Sequence, residues 1–384
     1  CFFNIHKWII LITLYHLIFV VKIKNNMRVC IIGSGLSGLA LAKALVNQKI
    51  YVHLFEKKKI KVFNKSRTLG ISKSNVEFFN KNIMNINQII WKLKKIEIFS
   101  ENLKNEKLLN FENGKEELFS VVKNYQLFKL LNQKLNNEKF FKRIFSRKEL
   151  SDFKEYDLVI NTNYSNSITK KFFSKKIIKK YNSRAYTTLI KHKKISNHTA
   201  VQIFTRNGPL AFLPISENET SIVYSFDCNR NKNQQNIKEL IKKYNPKYKI
   251  ENIKNIESFE LTSLTLRSYF HDNILAFGDL LHKIHPLAGQ GFNMSIRDIK
   301  VLTKIIDLKI NLGLDLDSSV CVEFENKNKH KNYIFSNGID FIHEFFNLEN
   351  RMNSNILSKS IKFFANNKIS NKFFTKFADE GILN

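Results

Sequence analysis

The chain has 384 residues, 43% hydrophobic and 12% aromatic, which excludes a disordered protein and leaves room for two domains around a large core. A formal charge of +30 invites a nucleic-acid partner, yet the lysines are scattered among Asn, Ile and Phe and no nucleic-acid motif accompanies them, so none is expected. Cys1, Cys30, Cys228 and Cys321 are widely spaced and form no CxxC, which fits a reducing, cytoplasmic compartment.

Residues 1–26 stand apart. Residues 8–21 are strongly apolar but shorter than the roughly 20 residues of a spanning helix. With Met27 immediately before the first strand candidate, the leader is expected to lie outside the native protein. A membrane anchor is the alternative, and a signal peptide fits poorly.

Residues 27–32 (MRVCII) have the apolar run of a strand, and Gly33-Ser34-Gly35-Leu36-Ser37-Gly38 follows at once. Residues 36–46 then show helical apolar spacing, and residues 50–55 read as a second strand ending at Glu56. This is the order of a dinucleotide-binding βαβ unit. Gly33 permits a tight turn, Gly35 lets a pyrophosphate approach the backbone, and Gly38 lets helix and strand pack closely. The helix start offers free N–H groups to the phosphate, and Glu56 is placed for the ribose hydroxyls. Leu36 and Ser37 belong to the same cofactor-binding loop.

A second glycine-bearing turn comes some 240 residues later, in ILAFGDLLHKIHPLAGQGFNMSIR. Asp279, after Gly278, can accept bonds from ribityl or ribose hydroxyls. Gly289-Gln290-Gly291 opens a helix, and N–H groups around Gly291, Phe292 and Asn293 can bond a flavin pyrimidine edge and stabilise negative charge on it. Two such turns far apart suggest one long cofactor held at both ends. His282 and His285 lack a third ligand at suitable spacing, so turn packing or a supporting hydrogen bond is expected and no metal.

On these motifs the chain resembles the FAD-dependent aromatic hydroxylases of ubiquinone biosynthesis, within the p-hydroxybenzoate-hydroxylase-like flavin monooxygenases. The resemblance also rests on Ser66-Arg67-Thr68, Val121-Val122-Lys123-Asn124, the stretches 200–204 and 208–214, and Arg297-Asp298. It implies that Arg67 and Asn124 approach the flavin, and that Pro286 and Leu213 border the substrate. It further implies FAD reduced by NAD(P)H, reaction with O₂ to a flavin C4a-hydroperoxide, and oxygen transfer to the ring of a polyprenylated phenol. Other ubiquinone-biosynthesis proteins and the inner membrane face are the partners it suggests. The fold implied is α/β: a Rossmann-like, glutathione-reductase-like FAD domain (27–79, 115–167 and 268–345), a mostly antiparallel substrate sheet (80–114 and 168–267), and a helical tail (346–384).

The departures matter. Asn163-Tyr164 occupies the place of a family Asp-Gly pair, so the loop must differ, because Tyr does not share Gly's access to positive φ. Residues 140–156 are short, and Leu280-Leu281 replaces a small pair. A flavin hydroxylase or reductase with another aromatic or isoprenoid substrate, and a noncatalytic flavin-binding scaffold, therefore stay open. Residues 170–180 and 356–377 interleave lysines with apolar residues. Such a helix can lie on an anionic membrane or pack its apolar face on the domain; the second reading is preferred for 356–377.

Overall fold

The computed structural model describes residues 27–57, 65–103, 106–112, 116–146, 153–227, 236–285 and 289–352, with positions 358–360, 362, 376, 379 and 381 beyond. The leader, Pro286 and most of the stretch 356–377 lie outside the described residues. Among the described residues, no helix is long and apolar enough to cross a membrane.

The first sheet contains β1 (Arg28–Ile32), β2 (Tyr51–Lys57), β8 (Phe141–Ser146), β9 (Leu158–Asn161), β16 (Phe270–His271) and β17 (Ile274–Ala276). Its order is β16-β17-β9-β1-β2-β8, parallel except for the β16–β17 pair. β1 and β9 are near-continuous apolar runs, as strands buried on both faces require. Helix α1 (Leu36–Asn47) packs against α3 (Asn124–Asn136) and α6 (Gln290–Asn311), and these faces close the main core.

A small antiparallel sheet, β3-β7-β4, comprises β3 (Thr68–Ser72), β4 (Ile90–Leu93) and β7 (Phe119–Lys123). These strands do not enter the parallel sheet, although β3 and β7 fall in segments expected to supply it. Helix α2 (Lys73–Asn82) follows β3.

The large sheet contains β5 (Lys95–Ser100), β6 (Lys107–Glu112), β10 (Lys176–His192), β11 (Thr199–Thr205), β12 (Gly208–Pro214), β13 (Glu219–Asp227), β14 (Ile250–Ile253), β15 (Glu257–Leu266) and β18 (His282–Lys283). Its order is β18-β15-β10-β13-β12-β11-β5-β6, with β14 beside β10. All pairs are antiparallel except β5–β11. Short helices α4 (Ser167–Phe172) and α5 (Ile237–Lys243) connect strands. Glu219 ties the layers together: Lys123 of β7 and Lys254 meet its carboxylate at 2.8 and 2.7 Å. Against the upward push of burial, these two cations bring its pKa down to about 2.

Helix α7 (Ser318–Arg351) runs through the expected boundary at 345 and packs on α6. Where it meets the loop after β18, the His285 ring stacks on His343 with centroids 4.3 Å apart, and Tyr181 stands edge-on to His285 at 5.0 Å. His285 is fully buried, and neither ring nitrogen has a hydrogen-bond partner among the described residues. Burial, with the nearby His343 and Lys179, holds its pKa well below the usual imidazole value. Between the unfolded value near 6.5 and that depressed value the unfolded chain binds the extra proton, so stability is full above about pH 6.5 and falls as pH drops. Urea midpoints at pH 7.5 and 5.5 should therefore differ more in the wild type than in His285→Phe, by on the order of 1 kcal/mol. Equal pH slopes would remove His285 from the account.

Candidate functional site

β1 ends in the glycine loop, and each glycine there has a distinct steric reason. Gly33 has φ +110, and a Cβ on it would lie 2.4 Å from Thr162 Oγ1. A Cβ on Gly38 would lie 2.5 Å from the Gly33 carbonyl oxygen. Thr162, just after β9, donates its hydroxyl to the Ile32 and Gly33 carbonyls at 3.0 and 3.2 Å and so braces the turn. Nothing in the sequence singled out this threonine.

Gly35 is different. It is the N-cap of α1, with ordinary extended φ and ψ (−72°, 170°), and a Cβ there would meet no atom within 4 Å. Its bareness serves the open cleft beside it. No side chain caps α1, and its first turn holds no acid. The N–H groups and positive dipole end of this helix are left for a ligand.

The second turn repeats the arrangement. Gly278 has φ +65 and packs on α1, where a Cβ would come 2.8 Å from Ser37 Cβ. Ser37 in turn donates to Ser295 Oγ, or accepts from it, at 3.1 Å, which joins α1 to α6. Asp279 is exposed at the cleft. Gly289, left-handed at φ 66, is the N-cap of α6, again without a side-chain cap or an acid in the first turn. A Cβ on Gly291 would meet nothing within 4 Å.

Both helix starts open on one cleft of about 650 Å³. Gly33, Gly35, Leu36, Ser37, Gly38, Arg67, Asn124, Leu213, Asp279, Gly289, Gly291 and Phe292 all line it. Asn124 begins α3, a third helix without a side-chain cap, and its N–H donates to the Arg67 carbonyl at 3.0 Å. The guanidinium of Arg67 lies 5.6 Å from the Phe259 ring centroid.

The opposite wall is one face of the large sheet. Ala211, Val223 and Thr187 pair in a row across β12, β13 and β10, with Leu213, Phe259 and Leu261 beside them. Alternation could have flagged each strand's inward residues. The row itself is set by register, which the sequence does not state.

Other candidates lie outside the lining. Glu56, at the end of β2, pairs with Arg143 of β8 at 2.8 Å. Gln290 is buried in the first turn of α6. The Asn293 side chain turns inward: it accepts from the Ser72 N–H at 3.0 Å and donates to the Gly70 carbonyl at 3.1 Å.

His282 Nε2 meets Asp298 Oδ2 at 2.5 Å, both side chains buried, while Asn328 and Asn332 donate to Asp298 Oδ1 at 2.8 and 3.1 Å. This network ties β18, α6 and α7 together, and His282 itself borders the cleft. Tyr164 is exposed at the cleft, and its backbone is not among the positive-φ residues. Asn163 closes its own turn with its side chain, whose Oδ1 accepts from the Ser165 N–H at 2.9 Å.

A family model described as FAD binding domain matches residues 174–311, and one described as NAD(P)-binding Rossmann-like domain matches residues 31–60. The 3-demethoxyubiquinol 3-hydroxylase of Escherichia coli is 29% identical over 152 residues, covering 38% of this chain and 39% of that protein. Ubiquinone biosynthesis monooxygenase COQ6 of Schizosaccharomyces pombe is 25% identical over 126 residues, 33% of this chain and 26% of that one. The matched stretches thus span well under half of these relatives. Among solved structures, PqsL of Pseudomonas aeruginosa, a probable FAD-dependent monooxygenase, superposes with a TM-score of 0.69 at 14% identity, over 87% of this chain and 99% of its own. The p-nitrophenol 4-monooxygenase PnpA of Pseudomonas putida gives 0.72 at 10% identity, over 93% and 100%. The structural likenesses establish the fold. Over the related stretches of sequence the chain is similar to FAD-dependent ubiquinone hydroxylases, and residues 174–311 match the FAD binding domain model.

Proposed function

We propose that the protein is an FAD-dependent monooxygenase that hydroxylates the ring of a polyprenylated phenol with O₂ and NAD(P)H. The observation that carries this reading is the pair of uncapped helix starts, α1 and α6, opening on one cleft whose far wall is apolar sheet. Gly35 and Gly291 supply the cradle, because any side chain on either would stand in the cleft. FAD would lie with its pyrophosphate at α1, its ribityl hydroxyls at Asp279 and its pyrimidine edge at Gly291 and Phe292. When bound, it would supply the redox and oxygen-activating chemistry.

The protein's own residues bind, orient and exclude water. The α6 start favours negative charge at the pyrimidine edge. Ala211, Leu213, Val223, Phe259 and Leu261 offer an apolar face to an aromatic ring and keep water from it. His282 borders the cleft with its Nε2 held by the buried Asp298, and no side chain is assigned as acid or base.

An anaerobic visible spectrum, taken before and after NAD(P)H with a prenylphenol and again after air, tests the reading. Flavin bands that bleach and return with hydroxylated product support it. Flavin that stays oxidised favours a protein electron donor or a scaffold, and no flavin after reconstitution sinks it. Gly35→Asp gives a sharper check. An N-cap Asp on α1 should leave the fold intact or strengthen it by about 1 kcal/mol, while its charge meets the phosphate and lowers FAD affinity by at least about 100-fold. Unchanged FAD binding in that variant would refute the placement.

The membrane surface is proposed as the place where the substrate is met. Helix α7 turns a stripe of Ile334, Phe341, Leu348 and Met352 outward, at helical spacing and all more than half exposed. With a chain charge of +30, an anionic bilayer is the favoured surface. Phe341→Ser with Leu348→Ser should cut flotation with phosphatidylglycerol vesicles about tenfold. Flotation equal to wild type would leave the stripe without that role.

A further inference from the structure

Helix α2 opens without a cap of its own. Ser72, at its N-cap, accepts no backbone N–H of the helix on its side chain, which instead accepts from Asn75 Nδ2 at 2.9 Å, and the first turn holds no acid. The cap arrives from the far end of the chain. Asp379 Oδ1 accepts the Ser74 N–H at 2.9 Å, and the Asp379 carbonyl accepts the Ser72 and Ser74 hydroxyls at 2.9 and 3.1 Å. A carboxylate at this place satisfies a free N–H and complements the helix dipole.

What α2 holds in turn is the wall of the cleft. The Ser72 N–H and Asn75 Nδ2 both donate to Asn293 Oδ1, at 3.0 and 3.1 Å, and Asn293 Nδ2 donates to the Gly70 carbonyl at 3.1 Å. Asn293 is fully buried in the first turn of α6. Gly289 and Gly70 approach so closely that a Cβ on Gly289 would lie 3.1 Å from the Gly70 nitrogen. Gly70, Gly289, Gly291 and Phe292 line the cleft.

A second contact fixes the same end of the chain on α6. Gly381 has φ +79 and lies over Arg297, where a Cβ would come 2.7 Å from Nη1. The guanidinium stands 4.5 Å from the Phe335 ring centroid, and Nη1 is buried with no hydrogen-bond partner among the described residues. Burial brings the Arg297 pKa down to about 10, against the pull of Asp298 and Asp379.

We propose that Asp379 is a positioning residue for the cofactor: it caps α2 from outside and thereby, through Ser72, Asn75 and Asn293, sets the α6 start against β3 at the pyrimidine end of the cleft. This rests on the FAD reading above. It has a consequence that a general loss of stability does not share. The Gly33–Gly38 loop lies at the other end, on α1, where Thr162 braces it without contact to Asp379, Ser72 or Asn75. Loosening the cap should weaken FAD, which spans both ends, and spare ADP-ribose, which engages only the α1 end.

The experiment measures dissociation constants of FAD and ADP-ribose for the full chain, with Asp379→Ala and Asp379→Asn beside wild type and circular dichroism to verify folding. The expected result is a FAD constant raised about five- to tenfold in Asp379→Ala, ADP-ribose unchanged, and Asp379→Asn within about twofold of wild type because it keeps the accepting oxygen. The visible bands of bound flavin should shift in Asp379→Ala only. Wild-type FAD affinity in Asp379→Ala, or equal weakening of FAD and ADP-ribose, overturns this inference alone. Wild-type protein that binds no FAD overturns the cofactor reading as well.

Discussion

Two helices that begin on bare backbone at one cleft set the terms for the rest of the structure. A helix start leaves N–H groups unsatisfied, and proteins usually cover them with Ser, Thr, Asp or Asn. Here α1 and α6 have Gly35 and Gly289 at that position instead, with no acid in either first turn. Keeping both ends uncapped and aimed at the same space requires tight support behind them. Thr162 braces the first turn from β9, and Gly278 seats the second on Ser37 of α1. The Ser37–Ser295 bond then joins the two helices to each other.

The polar side chains near the cleft are largely occupied in holding its frame. Asn293 is used on β3 and α2, and Asp298 on His282, Asn328 and Asn332. Buried groups satisfied this fully are costly to disturb and fix one arrangement. Opposite them stands a row of Ala211, Val223 and Thr187, in register across three strands, with the Thr187 hydroxyl bonded to Ser66 at 3.0 Å. A surface of this kind selects by shape and dryness rather than by proton transfer, which suits a site whose chemistry resides in a cofactor.

The start of the parallel sheet was legible in the sequence because its signals are local. A strand, a glycine loop and a helix within twenty residues leave little freedom, and β1, α1 and β2 follow that order. The large sheet was legible in outline from alternation along residues 199–226, where β11, β12 and β13 form consecutive antiparallel pairs. What escaped depends on distant pairing. β3, β7 and β4 form their own sheet, a choice that apolar runs alone do not reveal. Thr162 matters through a turn 129 residues away, Arg143 through Glu56 on a neighbouring strand, and Asp379 through a helix 305 residues earlier. None of these has a local signature, since Thr, Arg and Asp are ordinary residues until the fold gives them a partner.

The loop at Asn163-Tyr164 shows how a departure from a family pattern can be absorbed. A glycine turn works through positive φ; this loop reaches its reversal through the Asn163 side chain, which accepts the Ser165 N–H and hydroxyl at 2.9 and 3.0 Å. Asn166 then caps α4 by accepting the Thr169 N–H at 2.8 Å, and Asn161 donates to the Thr169 hydroxyl at 2.8 Å. The backbone after β9 is thus rebuilt from side-chain bonds, and the bracing by Thr162 is kept. Tyr164 stands exposed at the surface of the cleft. Tyr164 and the glycine loop thus border one cleft, and Asn163, which shapes the turn, lies against Gly33.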